Sequence, residues 1–529
     1  MTIKKSKALV IIVWAGATLL STAPAIAQLI DKNKAPNIAN EGIKKTLGQQ
    51  IGAGRGNLMT PDSSSFIIAR DPFRSIRRGR QLFQRKFTRD EGQGPVMNDG
   101  SGDINTNLAI GAGLADSCAS CHGRPRGSAG AGGDVVTRPD SRDAPHLFGL
   151  GLKEMIADEV TADLREIKAQ AIAEAAAHHH SVTKRLTSKG INYGTITANP
   201  DGSINTSNTQ GVDPDLRVRP FFHHGGTISI REFIVGALNA EMGLQAVDPD
   251  LTAASGGARV TTPGGMVLDG SLDAVEAPRA AGENDDPDAD GKVNEIPCSL
   301  VDHLEFYLLN YFKPAIYAQN ELTREGREIF EQIGCAQCHI PNLQINHDRR
   351  VADVETVYDP TKGIFNNLFA TASPLFTAVD DGSGFPGLKM ARLQPFLVRN
   401  IFADFKRHDL GPNFYERNYD GTTRTQFMTT PLWGVGTTAP YGHDGRSINL
   451  TEVILRHGGE ADAVRNRFAR LDREERSAVL DFLNSLIIFP PEDTASNLDP
   501  GNRNALGFPQ FGHGSIRLTV LFNNPADIE

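Results

Sequence analysis

Cys118-Ala119-Ser120-Cys121-His122 and Cys335-Ala336-Gln337-Cys338-His339 are two copies of one unit, a pair of thiols three positions apart with an imidazole directly after the second. Two thiols at this spacing can add across the vinyl groups of a haem, and the His that follows is placed to ligate the iron from one face. The competing reading is a zinc or redox Cys-x-x-Cys with an incidental His, and it has to supply the same accident twice. Cys118, Cys121 and His122 therefore read as one covalent haem c site, and Cys335, Cys338 and His339 as a second. Of the five cysteines only Cys298 is left over, read as a small buried residue with no assigned role.

Ahead of each unit lies a helical apolar pattern, Ile76, Gly79, Leu82 and Phe83 before the first and Gly326, Ile329, Phe330 and Ile333 before the second. Each looks like the opening helix of a cytochrome c domain, so the expected fold is mainly α, with two tandem cytochrome c-type haem domains, loop insertions and a short C-terminal β element. Residues 28–70 form an N-terminal extension, 71–290 the first haem domain and 291–488 the second. An Ala-rich helical piece followed by a polar Asn/Thr/Gly-rich stretch makes 171–213 an insertion at the surface. In the tail, 489–529, the segment Ser515 to Phe522 alternates enough to form a strand returning onto the body.

Lys4, Lys5 and Lys7, the apolar run Ala8 to Leu20 and the small-x-small close Ala25-Ile26-Ala27 make residues 1–27 a secretory signal peptide, with cleavage near Ala27. An uncleaved anchor is the alternative, but the run is short for a membrane span and nothing later is long and apolar enough. The expected location is periplasmic or otherwise exported. The net charge is −9, and losing the leader's three lysines makes the remainder three units more acidic. Such a chain is a poor candidate for nucleic acid and suits docking of a basic electron donor.

Toward the C-terminus, Thr438-Ala439-Pro440-Tyr441-Gly442-His443-Asp444-Gly445-Arg446 precedes Arg456-His457-Gly458-Gly459-Glu460 and an amphipathic closing helix, Glu474 to Leu486. This order after a Cys-x-x-Cys-His unit resembles the bacterial di-haem cytochrome c peroxidase superfamily over most of the chain from Asp71 to Leu486. With Pro145-His146-Leu147-Phe148-Gly149-Leu150-Gly151-Leu152, it is most similar there to the di-haem oxidoreductases. The resemblance implies that the second haem takes in electrons and that His457 is its distal iron ligand, where related proteins have Met. A bis-His iron has a lower potential than His/Met, because thioether stabilises the reduced state. A His closing a helix against its dipole is the competing reading of His457, and Met428 is the fallback ligand.

The resemblance also maps Phe221-Phe222-His223-His224-Gly225-Gly226 and Leu238-Asn239-Ala240-Glu241-Met242-Gly243 onto the peroxidase segment whose Glu acts over the first haem. Glu241 would then be the catalytic acid/base and His122 the proximal ligand; a solvated helix charge is the alternative for Glu241. Cleaving an O–O bond needs a base for one oxygen's proton and an acid for the other. Where relatives have a relay Trp this sequence has His223, and Trp433 is either core or a replacement relay. His146, His223 and His224 could each close the first iron.

His443 and Arg446 are expected to hold the loop and a haem propionate. The family places calcium between the domains, on backbone carbonyls of the segment matching Thr438 and Pro440. Separately, Asp286-Pro287-Asp288-Ala289-Asp290-Gly291 starts like a calcium loop, with Glu295 nearby but Pro297 at the twelfth position, and reads first as an acidic interdomain loop. His178-His179-His180 reads as an exposed helix end. The expected function is a di-haem peroxidase-type oxidoreductase that takes electrons from a small redox protein or other donor and reduces hydrogen peroxide or an organic hydroperoxide. The alternatives are a rubber-oxygenase-like or protein-modifying oxidase using O2 or peroxide, and a non-catalytic di-haem electron carrier.

Overall fold

The computed structural model describes residues 27–28, 46–94, 113, 115–123, 128–132, 134–135, 142–312, 315–317, 319–358, 368–417, 421–487 and 516–521. The leader before Ala27 and most of the tail lie outside them. The helices that matter to the site are α1 (Pro72–Gln84), α2 (Cys118–His122), α3 (Leu150–His178), α4 (Ile230–Met242), α5 (Cys298–Asn310), α6 (Glu321–Gln332), α7 (Leu450–Arg456) and α8 (Arg473–Ser485).

Two packed helix pairs organise the chain, α1 against α5 and α6 against α8. In each, the apolar stripe seen in the sequence is the buried face: Ile76, Leu82 and Phe83 in the first, Ile329 and Phe330 in the second. A glycine lets each pair touch backbone to backbone. A Cβ on Gly79 would lie 2.1 Å from the His303 carbonyl oxygen, and one on Gly326 would lie 1.8 Å from that of Ala478. Overpacking at such a contact costs about 1–3 kcal/mol, more than the roughly 0.5–1 kcal/mol that Ala gains over Gly inside a helix. Gly326→Ala is therefore expected to lower the urea midpoint of the haem-loaded protein; an unchanged midpoint would mean the pair does not close as described.

The mainly α expectation is corrected by the strands. Of the described residues 38% are helical and 17% strand, and their strands make nine small antiparallel sheets. They arise in the connections between helices. The stretch expected as a surface insertion holds a sheet in which Val182–Ser188 pairs with Ile191–Ala198 around the Lys189-Gly190 turn, both of whose residues have positive φ. This hairpin packs on α3, which runs unbroken to His178, so the start of the segment, 171–178, is the end of a long helix and the sheet that follows packs on that helix. His178, His179 and His180 lie exposed at that helix end. Strand Ile516–Leu521 pairs antiparallel with Ala315–Tyr317, as its alternation indicated. The first helix pair closes with α5, beyond the boundary expected at 290.

Buried charge ties α4 to α5. The guanidinium of Arg231 is fully buried and meets Asp248 at 2.7 Å, Asp302 at 2.9 Å and Glu305 at 2.6 Å. Arg55, from the N-terminal extension, reaches the same Asp302 at 2.6 Å and Asp250 at 2.7 Å.

Candidate haem site

Both Cys-x-x-Cys-His units open on one largely apolar cavity of about 920 Å³. His122 ends α2, and its Nδ1 lies 2.7 Å from the Pro145 carbonyl oxygen. A carbonyl only accepts, so Nδ1 carries the proton and Nε2 is the nitrogen left to bind a metal. His339 is set the same way, Nδ1 to the Phe402 carbonyl at 3.0 Å, and so is His457, Nδ1 to the Val453 carbonyl at 2.7 Å. Burial pushes His122 and His457 down to about 4 and lowers His339, so all three are neutral imidazoles at neutral pH. His457 caps α7 and lies within electrostatic reach of His339, as two ligands of one iron would.

Glu241 lines the cavity near the end of α4, where its charge reaches Cys121 and its carbonyl accepts the Ala115 amide at 2.9 Å. His146 Nδ1 accepts the Phe148 amide at 3.3 Å, and the ring also reaches the Trp433 backbone. This makes it a bracket between the two halves of the chain. His223 and His224 both line the cavity; the His223 ring lies 5.8 Å from that of His443, and its carbonyl accepts the Met428 amide at 2.7 Å. Met428 sits there with its sulfur beside Gly225.

Trp433 is almost wholly buried, and its indole packs edge-on against Phe312 at 4.9 Å while lining the cavity between the motifs. Core residue and cavity wall are thus one position. His443 faces the cavity, stacked on Phe427 at 4.2 Å. The expectation for Arg446 is corrected: its side chain is 66% exposed, pairs with Asp444 at 3.2 Å, and is not part of the cavity lining. It follows a turn aimed at solvent, while Arg456 takes Asp444 from inside at 2.7 Å and covers Phe414.

Sequence reasoning missed several cavity groups. Lys153, on the first turn of α3, is half-buried over the Phe221 ring, and desolvation pushes it down to about 8. Arg424 and Arg465 also line the cavity, so these three are the cations available to propionates. His408 lies between Asp404 and Glu460, at 2.8 Å from each, beside Cys338. None stands in a recognisable motif. The carbonyls that orient the imidazoles are likewise invisible in a sequence, since any residue has one. Cys298 starts α5 half-buried, its thiol pushed up to about 11 by burial.

Residues 344–486 match the family model described as "Di-haem oxidoreductase, putative peroxidase". That segment is similar to the di-haem oxidoreductases. It carries Trp433, His443 and His457, and the haem cofactors of the family fit what surrounds it: two thiol pairs, three imidazoles with Nε2 available, and an apolar hollow. The chain is accordingly an enzyme of the oxidoreductase class. No curated protein matches it. The solved structure of Kuenenia stuttgartiensis hydrazine synthase pressurised with 20 bar xenon aligns at 12% identity over 86% of this chain and 99% of that one, with a TM-score of 0.34. No helix among the described residues is long and apolar enough to cross a membrane.

Proposed function

We propose that the chain is an exported di-haem peroxidase whose haems are attached covalently, through Cys118 and Cys121 and through Cys335 and Cys338. The single observation that carries this reading is the shared cavity, in which the His122 site, the His339 and His457 pair, and the carboxylate Glu241 meet. His122 binds the first iron through Nε2, and the Pro145 carbonyl keeps the ring turned for it. His339 and His457 are the ligands of the second. Haem iron supplies one-electron exchange and the affinity for peroxide. Glu241 takes the proton from one peroxide oxygen and returns it to the other.

A small redox protein would supply the electrons at the second site, and Trp433 and His146 bridge the two halves of the chain. A calcium ion between the halves, on carbonyls of Thr438 and Pro440, follows from the family resemblance alone. Export and a periplasmic location rest on residues 1–27.

Low-temperature EPR of the oxidised protein, repeated after adding one electron per molecule, tests the reading. A high-spin ferric signal beside a low-spin bis-His signal in either state, with donor-dependent peroxide consumption, is the expected result. Two low-spin irons in both states would leave an electron carrier; O2 uptake with a hydrocarbon-like substrate and no peroxide turnover would leave an oxygenase.

A further inference from the structure

Away from the haem cavity, the loop after residue 285 and the residues packed behind it gather a set of acidic and amide oxygens. Asp286, Asp288 and Asp290 each bring one carboxylate oxygen to within 4.8 Å of the others. Behind them, Asp288 is 0%, Gln245 2% and Glu295 5% exposed. Oδ1 of Asp288, Oε1 of Gln245 and Oε1 of Glu295 are buried without a hydrogen-bond donor.

Their companion atoms fix the orientation: Glu295 Oε2 accepts the Gln245 amide at 2.8 Å, and Gln245 Nε2 donates to Asp288 Oδ2 at 3.3 Å. Glu295 lies within electrostatic reach of all three aspartates, and the charges acting most on it and on Asp288 are other carboxylates. Leaving a buried oxygen unsatisfied is costly, and more so when it is charged, and a cation among these oxygens would satisfy them.

The loop is also held open for one. Asp286 accepts the amides of Asp290 at 3.2 Å and Gly291 at 3.0 Å, and the chain reverses at Gly291, with φ +87. Gly92 packs so closely over Glu295 that a Cβ there would lie 2.4 Å from its carboxyl carbon.

We propose that Asp286, Asp288, Asp290 and Glu295, with the amide oxygen of Gln245, bind one calcium ion. An all-oxygen donor set rich in carboxylates, with neither His nor Cys, suits a hard divalent cation. Its irregular geometry and high donor number favour calcium over magnesium, which demands an octahedron. Glu295, at the tenth position of the loop, replaces the carboxylate that Pro297 cannot provide at the twelfth. The ion also has a structural task. Gln245 Nε2 lies 3.2 Å from the Asn239 side chain, on the last turn of α4, so the ion braces the helix end that carries Glu241. This proposal stands whether or not the first haem reduces peroxide.

The test is calcium counting by equilibrium dialysis of the full-length, haem-loaded protein after stripping with EGTA. Wild type is expected to bind one ion more than the Asp288→Asn/Glu295→Gln double variant, and calcium is expected to raise the melting temperature of wild type more than that of the variant. An interdomain ion, if present, would remain in both. Because the double variant changes buried groups, Asp290→Asn at the loop edge gives a milder check, with calcium affinity expected to fall by roughly tenfold or more. Equal counts in wild type and a variant with unaltered haem and circular-dichroism spectra, or no calcium in wild type, would overturn the site.

Discussion

Peroxide turnover by Glu241→Gln, assayed with a reduced donor, is expected to fall by about 100- to 10,000-fold, the range that a positioned acid/base contributes. Gln keeps the size of Glu241 and removes its capacity to carry a proton, so haem content, the EPR spectrum and thermal stability should stay as in wild type. Glu241 is suited to the task by position: it lines the cavity beside Cys121, on a helix whose backbone is tied to residue 115 just ahead of the first motif. Glu276 is a second carboxylate in the cavity lining, and Glu276→Gln serves as the comparison. If both variants lose activity equally, or neither loses more than about threefold, the acid/base role does not belong to Glu241.

Arg231→Leu is expected to destabilise the protein by about 3–5 kcal/mol, because removing one partner leaves Asp248 and Glu305 buried without a cation and Asp302 with Arg55 alone. The effect is larger than that of an ordinary core truncation. The three carboxylates come from the segment after α4 and from α5, so the ion cluster holds the distal helix onto the helix that closes the first pair. Denaturant unfolding followed by circular dichroism measures it. A loss under about 1 kcal/mol would mean that water or protonation relieves the carboxylates, and that the cluster is not what fixes α4. Arg231→Lys retains the charge but not the fork, and should fall between Leu and wild type.

The helical half of the fold was legible because its signals are periodic. Ile76, Gly79, Leu82 and Phe83, and Gly326, Ile329 and Phe330, form stripes that only a helix buries together, and the two glycines mark the contacts. The sheets were not legible, since most of their strands are short and their partners are set by the helices between which they run. The hairpin at 182–198 did carry a sign, the Lys189-Gly190 turn between alternating runs, masked by a polar composition. In the site, the motif histidines follow from the Cys-x-x-Cys-His spacing and His457 from resemblance, and all three line the cavity. Arg446 misled because a turn motif does not say which of its side chains points inward. The bracket of His146 on Trp433, the half-buried Lys153 and the carbonyls of Pro145, Phe402 and Val453 are products of tertiary approach, and no local pattern encodes them.

The first pair is completed late. The unit at 118–122 leaves the ribosome long before α5, which begins at residue 298 and closes the first helix pair, whereas the second unit waits only for α8. On the proposed covalent attachment, the first thiols face the loading machinery as an open, unpacked segment while the intervening chain is still being delivered. Order of synthesis thus sets order of closure. A chain cut short before residue 298 would present its thiols to haem indefinitely, and one cut after α5 would shut on whatever had been loaded by then.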